Sequence, residues 1–270
     1  MRELLVRTIS GAVLVAVIIT CILVSPWSWA ALALLVVVIG SFEMAKLQHV
    51  TTPALLLLGM LLSACAYLLA VLVALEVLPR SWLLVELLLL LVPLLMALFS
   101  TSCDFRKVAA FGFGSLVYLS MPCALTVFMY LKSLFGDMAG ARLVIMVFAL
   151  LWANDTFAYL TGRLLGRHKL FPRISPGKTI EGSLGGLTLT LAGVMVFSHY
   201  TPWLPTTEAV GMGLIAVVCG TLGDLCESML KRQAGVKDSG NLIPGHGGIL
   251  DRFDSVLFTV PFIFVFLQLL

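Results

Sequence analysis

The sequence predicts an all-α fold: a polytopic integral membrane helix bundle of about nine transmembrane helices, N-terminus cytoplasmic and C-terminus outside. Three observations lead there. Mean hydropathy is +1.09, more than a water-soluble core can absorb. Hydrophobic residues make up 60% of the chain and charged residues only 11%. The apolar runs are Leu/Val/Ala/Ile stretches of about twenty residues without alternating polarity, which in lipid selects helices over a closed barrel.

The expected spans are 9–25, 28–46, 53–78, 81–99, 110–131, 142–163, 183–200, 208–231 and 253–270. Only "SPWSW" divides the first two, where Pro26, Trp27 and Trp29 read as an interfacial turn because indoles favour the headgroup zone. A signal peptide flanked by Arg2 and Arg7 is the other reading of the first run, but no small-x-small cleavage site follows it and another span begins at once. Of the 17 lysines and arginines, all but Arg80, Lys132 and Arg142 fall on the side that also holds Arg2 and Arg7, as the positive-inside rule requires of a cytoplasmic face. The cysteines at 21, 65, 103, 123, 219 and 226 show no CxxC pairing, so neither a disulfide nor a zinc site is expected.

Two polar insertions, about 164–182 and 232–252, interrupt the apolar pattern on that cytoplasmic side. The sequence therefore divides into N-terminal transmembrane helices over 1–140, mainly structural, and a C-terminal catalytic region over 141–270 that carries both insertions. Their concentrated positive charge suits an anionic small ligand, and with a net charge of only +3 no nucleic-acid partner is expected.

Carboxylates inside the spans carry the next signal. Asp155, beside Asn154 in the sixth span, would cost about 2.5–3.5 kcal/mol near the bilayer centre, so it must face protein or water and find a partner. Tyr159 lies on its helical face and could hold it as simple helix glue. In the eighth span Asp224, Glu227, Ser228 and Lys231 form one stripe at i, i+3, i+4 and i+7. A divalent cation would relieve the repulsion between its acids, and oxygen ligands without a Cys or His cluster favour magnesium; a plain Glu227–Lys231 ion pair beside a solvated Asp224 is the alternative. Asp251 and Asp254 open the ninth span. Asp254 or Ser255 could be an ordinary N-cap, but Asp251 is a turn too early for that role and is a plausible metal partner of Asp224.

The insertions read as phosphate handlers. Gly245, Gly247 and Gly248 surround His246 behind Pro244, so the backbone can turn sharply and bring N–H groups close to a ligand. In "RISPGKTIEGSLGG" a P-loop is excluded because Pro172 stands where its first glycine is needed; Ser175, Lys178 and Thr179 remain as phosphate-holding groups near a helix start.

From Ser228 to Asp254, "SMLKRQAGVKDSGNLIPGHGGILDRFD" resembles the signature of the CDP-diacylglycerol synthase (phosphatidate cytidylyltransferase) family: S-x-L-K-R, then K-D after four residues, P-x-H-G-G, and D-R-x-D. "NDTFAYLTGRLLGRHK" from Asn154 and "SPGKTIEG" from Ser175 resemble it too, so the likeness is strong over about 150–270 and general before that. The resemblance implies condensation of CTP with phosphatidate to CDP-diacylglycerol and pyrophosphate, with Mg2+ and room for a second cation as cofactor. It also implies a homodimer, a bacterial inner (cytoplasmic) membrane location and an active site facing the cytoplasm. Asp224 and Asp251 match the metal ligands, and with Lys178 and Arg252 they form the expected catalytic set. Asp155, Ser175, Thr179, Ser228, Lys231, Arg232, Lys237, Asp238, His246, Gly247, Gly248 and Asp254 are the expected substrate-binding residues. A phosphate monoester is already largely ionised near neutrality, its second pKa being about 6, so no general base is required. A membrane transporter of an anionic substrate would also place ionisable residues in helices, but it has no need of the glycine-rich polar loop.

Overall fold

The computed structural model describes residues 2–100, 104–131, 139–201 and 203–270; Cys103 and Lys132, which entered the sequence reading, lie outside them. Among the described residues eight helical stretches are long and apolar enough to cross a bilayer, as expected of a polytopic helical membrane protein. The ninth expected span is the helix Leu250–Gln268, whose first turns hold Asp251, Arg252 and Asp254.

The chain forms two compact units, one of 1–132 with 233–253, the other of 133–232 with 254–270. The first begins with α1 (Arg2–Val24), α2 (Pro26–Leu47) and α3 (Pro53–Ala74). Ser25 caps α2, its hydroxyl accepting from Ser28 N at 3.1 Å, so the tryptophan-flanked turn falls where Pro26 predicts it. α3 stops before residue 78 because Glu76 turns to φ 61° and Val77 N returns to Leu72 O at 3.0 Å, a left-handed helix end. The expected fourth span is broken into a short turn at Arg80–Trp82, α4 (Leu83–Leu89) and α5 (Val92–Leu98), since Pro93 has no N–H to offer the carbonyl of Leu89. α6 (Phe105–Phe113) runs through a widened π turn over Gly114–Ser120 into α7 (Met121–Leu131), where Pro122 likewise withdraws a donor.

Polar groups buried in this unit are matched between helices. Trp29 Nε1 donates to Thr126 Oγ1 at 3.0 Å, Tyr67 OH to Ala30 O at 2.8 Å, and Ser120 Oγ to Ser63 O at 2.9 Å, while Ser41 and Ser63 share a hydroxyl bond at 2.7 Å. Such bonds set helix rotation where lipid offers no hydrophobic preference for one face over another. The polar loop after residue 233 belongs to this unit, pinned by the Ile243–Gly247 bridge.

The second unit starts with α8 (Ala139–Leu165) and continues through a hairpin of β1 (Lys169–Phe171) and β2 (Ser175–Thr179) into α9 (Ile180–Tyr200), then α10 (Thr206–Gln233) and the body of α11 (Leu250–Gln268). The hairpin is a local addition to an otherwise helical design. Ile174 N closes its turn on Phe171 O at 3.2 Å, and Thr179 both ends β2 and caps α9, accepting from Gly182 N at 3.1 Å. α8 and α9 approach closely across glycines: a Cβ on Gly186 would lie 2.6 Å from Asn154 Oδ1 and 3.1 Å from Ala158 Cβ. Gly186→Leu should therefore cost about 1–3 kcal/mol by overpacking, read as a lowered unfolding midpoint in detergent. Gly193→Ala, whose Cβ meets open space, should stay within about 0.5 kcal/mol of wild type.

Candidate active site

The second unit holds a polar cleft of about 490 Å³. α8 lines it with Asn154, Asp155 and Tyr159, β2 with Ser175, Gly177 and Lys178, and α10 with Thr221 and Asp224. β2 makes this possible, because an extended strand ending in the cap of α9 carries Lys178 against α10, where its ammonium pairs with Asp224 Oδ2. Ser228, one turn on, donates to Asp224 Oδ1 at 3.2 Å. The Asn154 side chain is buried, and its Oδ1 has no hydrogen-bond partner among the described residues. Thr179 lines the cleft too, but its hydroxyl already caps α9.

Next to Asp224, Glu227 and Asp254 complete a group of three carboxylates whose nearest oxygens all lie within 4.8 Å of one another. Glu227 is 1% exposed and pairs with Lys231 one turn later. The donor set is all oxygen, which favours a hard divalent cation over zinc. Asp254 is not an N-cap as its position before an apolar run would allow, nor is Ser255: α11 begins at Leu250, three residues earlier than expected, and both lie in its second turn. Ser255 instead bonds Gly220 O at 3.1 Å. Arg232 reaches Ile174 O of the hairpin turn at 3.5 Å.

The other sequence-selected residues lie in the first unit. Asp251 Oδ2 accepts from Ser239 N at 2.8 Å and Gly248 N at 2.7 Å, tying the two ends of the loop together, and the single hydroxyl proton of Ser239 has Asp251 Oδ2 at 3.0 Å and Glu43 Oε2 at 2.9 Å as alternative acceptors. Gly247, at φ 81°, passes so close to Asp251 that a Cβ would strike its carboxylate. Lys237, Asp238 and Arg252 are exposed. His246 Nδ1 meets Ser10 Oγ of α1 at 2.8 Å. The hydroxyl proton of Ser10 also has Pro244 O at 2.9 Å and Val6 O at 2.9 Å to serve, which favours the tautomer with the hydrogen on Nδ1.

Sequence reasoning passed over Glu43, a 3% exposed carboxylate in α2 that binds the same loop. The signal was there: it is a lone acid in the apolar run "VVVIGSFEMA", the same feature that singled out Asp155. Ser10 had no comparable signal.

A second cavity, about 960 Å³ and almost wholly apolar, follows the same helix pair. Arg142, Met146 and Leu150 line it, and the next members of that i, i+4 stripe of α8, Asn154, Ala158 and Gly162, line the polar cleft. Phe197, Tyr200 and Trp203 also line it.

These features define a class: a polytopic helical membrane protein in which carboxylates of a span pair with lysines, one of them from the hairpin, beside an apolar cavity. Comparison with known proteins makes it specific. The model of the cytidylyltransferase family matches residues 5–270, and the chain belongs to that family. It is 43% identical over 160 residues to phosphatidate cytidylyltransferase of Staphylococcus haemolyticus, covering 59% of each chain. It is 46% identical over 129 residues to that of Staphylococcus aureus strain COL, covering 47% of this chain and 50% of the relative. It is also 47% identical over 130 residues to the uncharacterized protein YnbB of Escherichia coli K12, covering 48% and 43%. The matched stretches thus span about two-fifths to three-fifths of these relatives' lengths.

Burial lowers the His246 pKa below its ordinary value, and the positive charges of Arg252 and Arg7 push the same way, against the carbonyl of Pro244. The folded state therefore prefers the neutral ring. Its contribution to stability is complete above the unfolded imidazole value of about 6.5 and is lost as pH falls through the lower folded value. Between about pH 7.5 and about pH 5 the wild-type unfolding midpoint should fall further than that of His246→Gln; parallel pH slopes would contradict this assignment.

Proposed function

We propose that the chain transfers the cytidylyl group of CTP to phosphatidate, forming CDP-diacylglycerol and pyrophosphate. The observation that carries this reading is the pairing of Lys178 with Asp224 in a polar cleft whose lining helix continues into an apolar cavity. A ligand with a phosphate at one end and fatty-acyl chains at the other matches that division, and the names of the staphylococcal relatives support it.

A phosphatidate oxygen, ionised without help, attacks the α-phosphorus of CTP. The bond from that phosphorus to the bridging oxygen of the β-phosphate breaks, and its electron pair leaves with pyrophosphate. Lys178 exchanges Asp224 for a phosphate oxygen, while Ser175 and Asn154 orient the headgroup. Lys231, Arg232, Lys237 and Arg252 offset the charge of the triphosphate and leaving group, and Asp238, Gly247 and Gly248 shape the loop that carries part of this set. His246 holds that loop to Ser10 and needs no proton-transfer role. Magnesium, held by Asp224 with Glu227 and Asp254 beside it, would supply charge neutralisation of phosphate oxygens when bound. Asp251 remains a proposed ligand on the family resemblance, and its two backbone donors in the loop support an ordering role as well. The cytoplasmic orientation of the cleft in a bacterial inner membrane is supported by the lysine and arginine distribution, and a homodimer by the resemblance.

Purified protein given CTP, magnesium and phosphatidate should release pyrophosphate and form CDP-diacylglycerol. Asp224→Asn and Lys178→Ala should each retain less than about a tenth of the rate, a loss above roughly 1.4 kcal/mol, while remaining folded in the membrane. No pyrophosphate with any of the four nucleotides would sink the reading. A separate expectation concerns the apolar cavity: Gly193→Leu grows into open space there and should slow turnover of long-chain phosphatidate while sparing a short-chain analogue. Equal slowing of both would remove the acyl chain from that cavity.

A further inference from the structure

Glu43 lies near the end of α2, in the part of the chain that the sequence marks as framework, yet nothing in α2 takes its carboxylate in the bonds that define it. Its Oε1 accepts from Ile249 N at 2.9 Å, and its Oε2 accepts from Leu250 N at 2.9 Å and from Ser239 Oγ at 2.9 Å. Ile249 and Leu250 supply N–H groups at the start of α11 that no earlier helical turn can satisfy, so Glu43 caps that helix from another one. Ser239 belongs to the opposite end of the glycine-rich loop. One buried side chain thus closes both ends of the segment between Lys237 and Asp251.

The loop is built around this carboxylate. Gly240 and Gly248 both press against it, and a Cβ on either would overlap its oxygens. Gly248 is also the residue whose N–H goes to Asp251, so the clamp made by Glu43 and the clamp made by Asp251 share Ser239 and Gly248. Loss of Glu43 would free the N–H groups of Ile249 and Leu250 and leave the Ser239 hydroxyl to Asp251 alone, so the two clamps would no longer hold the loop together.

We infer that Glu43 is a positioning residue of the transfer reaction: it caps α11 and holds the glycine-rich loop in the one conformation that presents its phosphate-handling groups. Its effect on turnover rests on the function proposed above; its effect on the loop does not.

The test is Glu43→Gln in the full-length protein in lipid nanodiscs, read by hydrogen exchange and by kinetics. An amide can accept through its oxygen only, so at least one of the paired donors is lost without a change of size. Exchange over 239–250 is expected to speed up at least tenfold while the segments of α2, α3 and α7 keep their protection, and KM for CTP is expected to rise with kcat/KM falling at least tenfold. Wild-type exchange over 239–250 would overturn the clamp. A loosened loop with wild-type kcat/KM would overturn the positioning role. Should Glu43→Gln unfold throughout, Gly240→Ala decides, because the three atoms nearest its added Cβ all belong to Glu43: faster exchange confined to the loop supports the inference, and unchanged exchange overturns it. If the wild-type protein transfers no cytidylyl group, the proposed function fails, and the exchange result still decides the clamp.

Discussion

A carboxylate carried into a membrane-spanning helix has to be matched by donors or cations, and most of what is specific in this molecule follows from that need. An acid near the bilayer centre costs about 2.5–3.5 kcal/mol, whereas each hydrogen bond to a charged group returns about 1.5–3 kcal/mol. The chain meets the requirement in two ways. Glu43 takes backbone and hydroxyl donors, whereas Asp224 and Glu227 take the ammonium groups of Lys178 and Lys231. The first solution freezes a loop. The second leaves cations that a polyanion can capture, because a lysine paired to a carboxylate is a ready exchange partner for phosphate.

The second solution depends on the short hairpin between α8 and α9. A helix-to-helix turn would leave Lys178 at the end of a flexible connection; as part of β2, two residues before the Ile180 start of α9, its position is set by strand pairing on one side and the Thr179 cap on the other. The close approach of α8 and α9 is the other prerequisite. Gly182 and Gly186 let the helix that carries Asn154 and Asp155 come near α9, and along one i, i+4 ridge of α8 the residues change from those lining the apolar cavity to those lining the cleft.

The spans were legible in the sequence because the bilayer imposes a length and a composition that can be counted. Their interruptions were less so: the break before Pro93 and the π turn before Pro122 follow from single missing donors, which an apolar run conceals. In the site, Asp224, Lys178 and the loop glycines were visible as chemistry out of place in an apolar chain. Glu43 was equally out of place, but its partners lie some two hundred residues later in the sequence, and no local spacing connects an acid in α2 with amides at the start of α11. Nor could spacing show that Asp254 approaches Asp224 and Glu227, since that depends on where α11 begins.

The D-R-x-D run shows how closely that start is constrained. Three residues along an α-helix turn a side chain through about 300°, so Asp251 and Asp254 point along neighbouring but distinct directions. Asp251 is engaged by Ser239 and Gly248 of the loop, and Asp254 joins the carboxylates of α10. A helix beginning at residue 253, as the apolar pattern alone suggests, would leave Asp251 outside the helix and Asp254 in its first turn. Beginning at Leu250 places both within the first two turns, and the amides exposed by that earlier start are the ones Glu43 accepts. The capping carboxylate in α2 is therefore what makes the earlier start affordable, and the earlier start is what assigns one aspartate to the loop and the other to the acidic cluster.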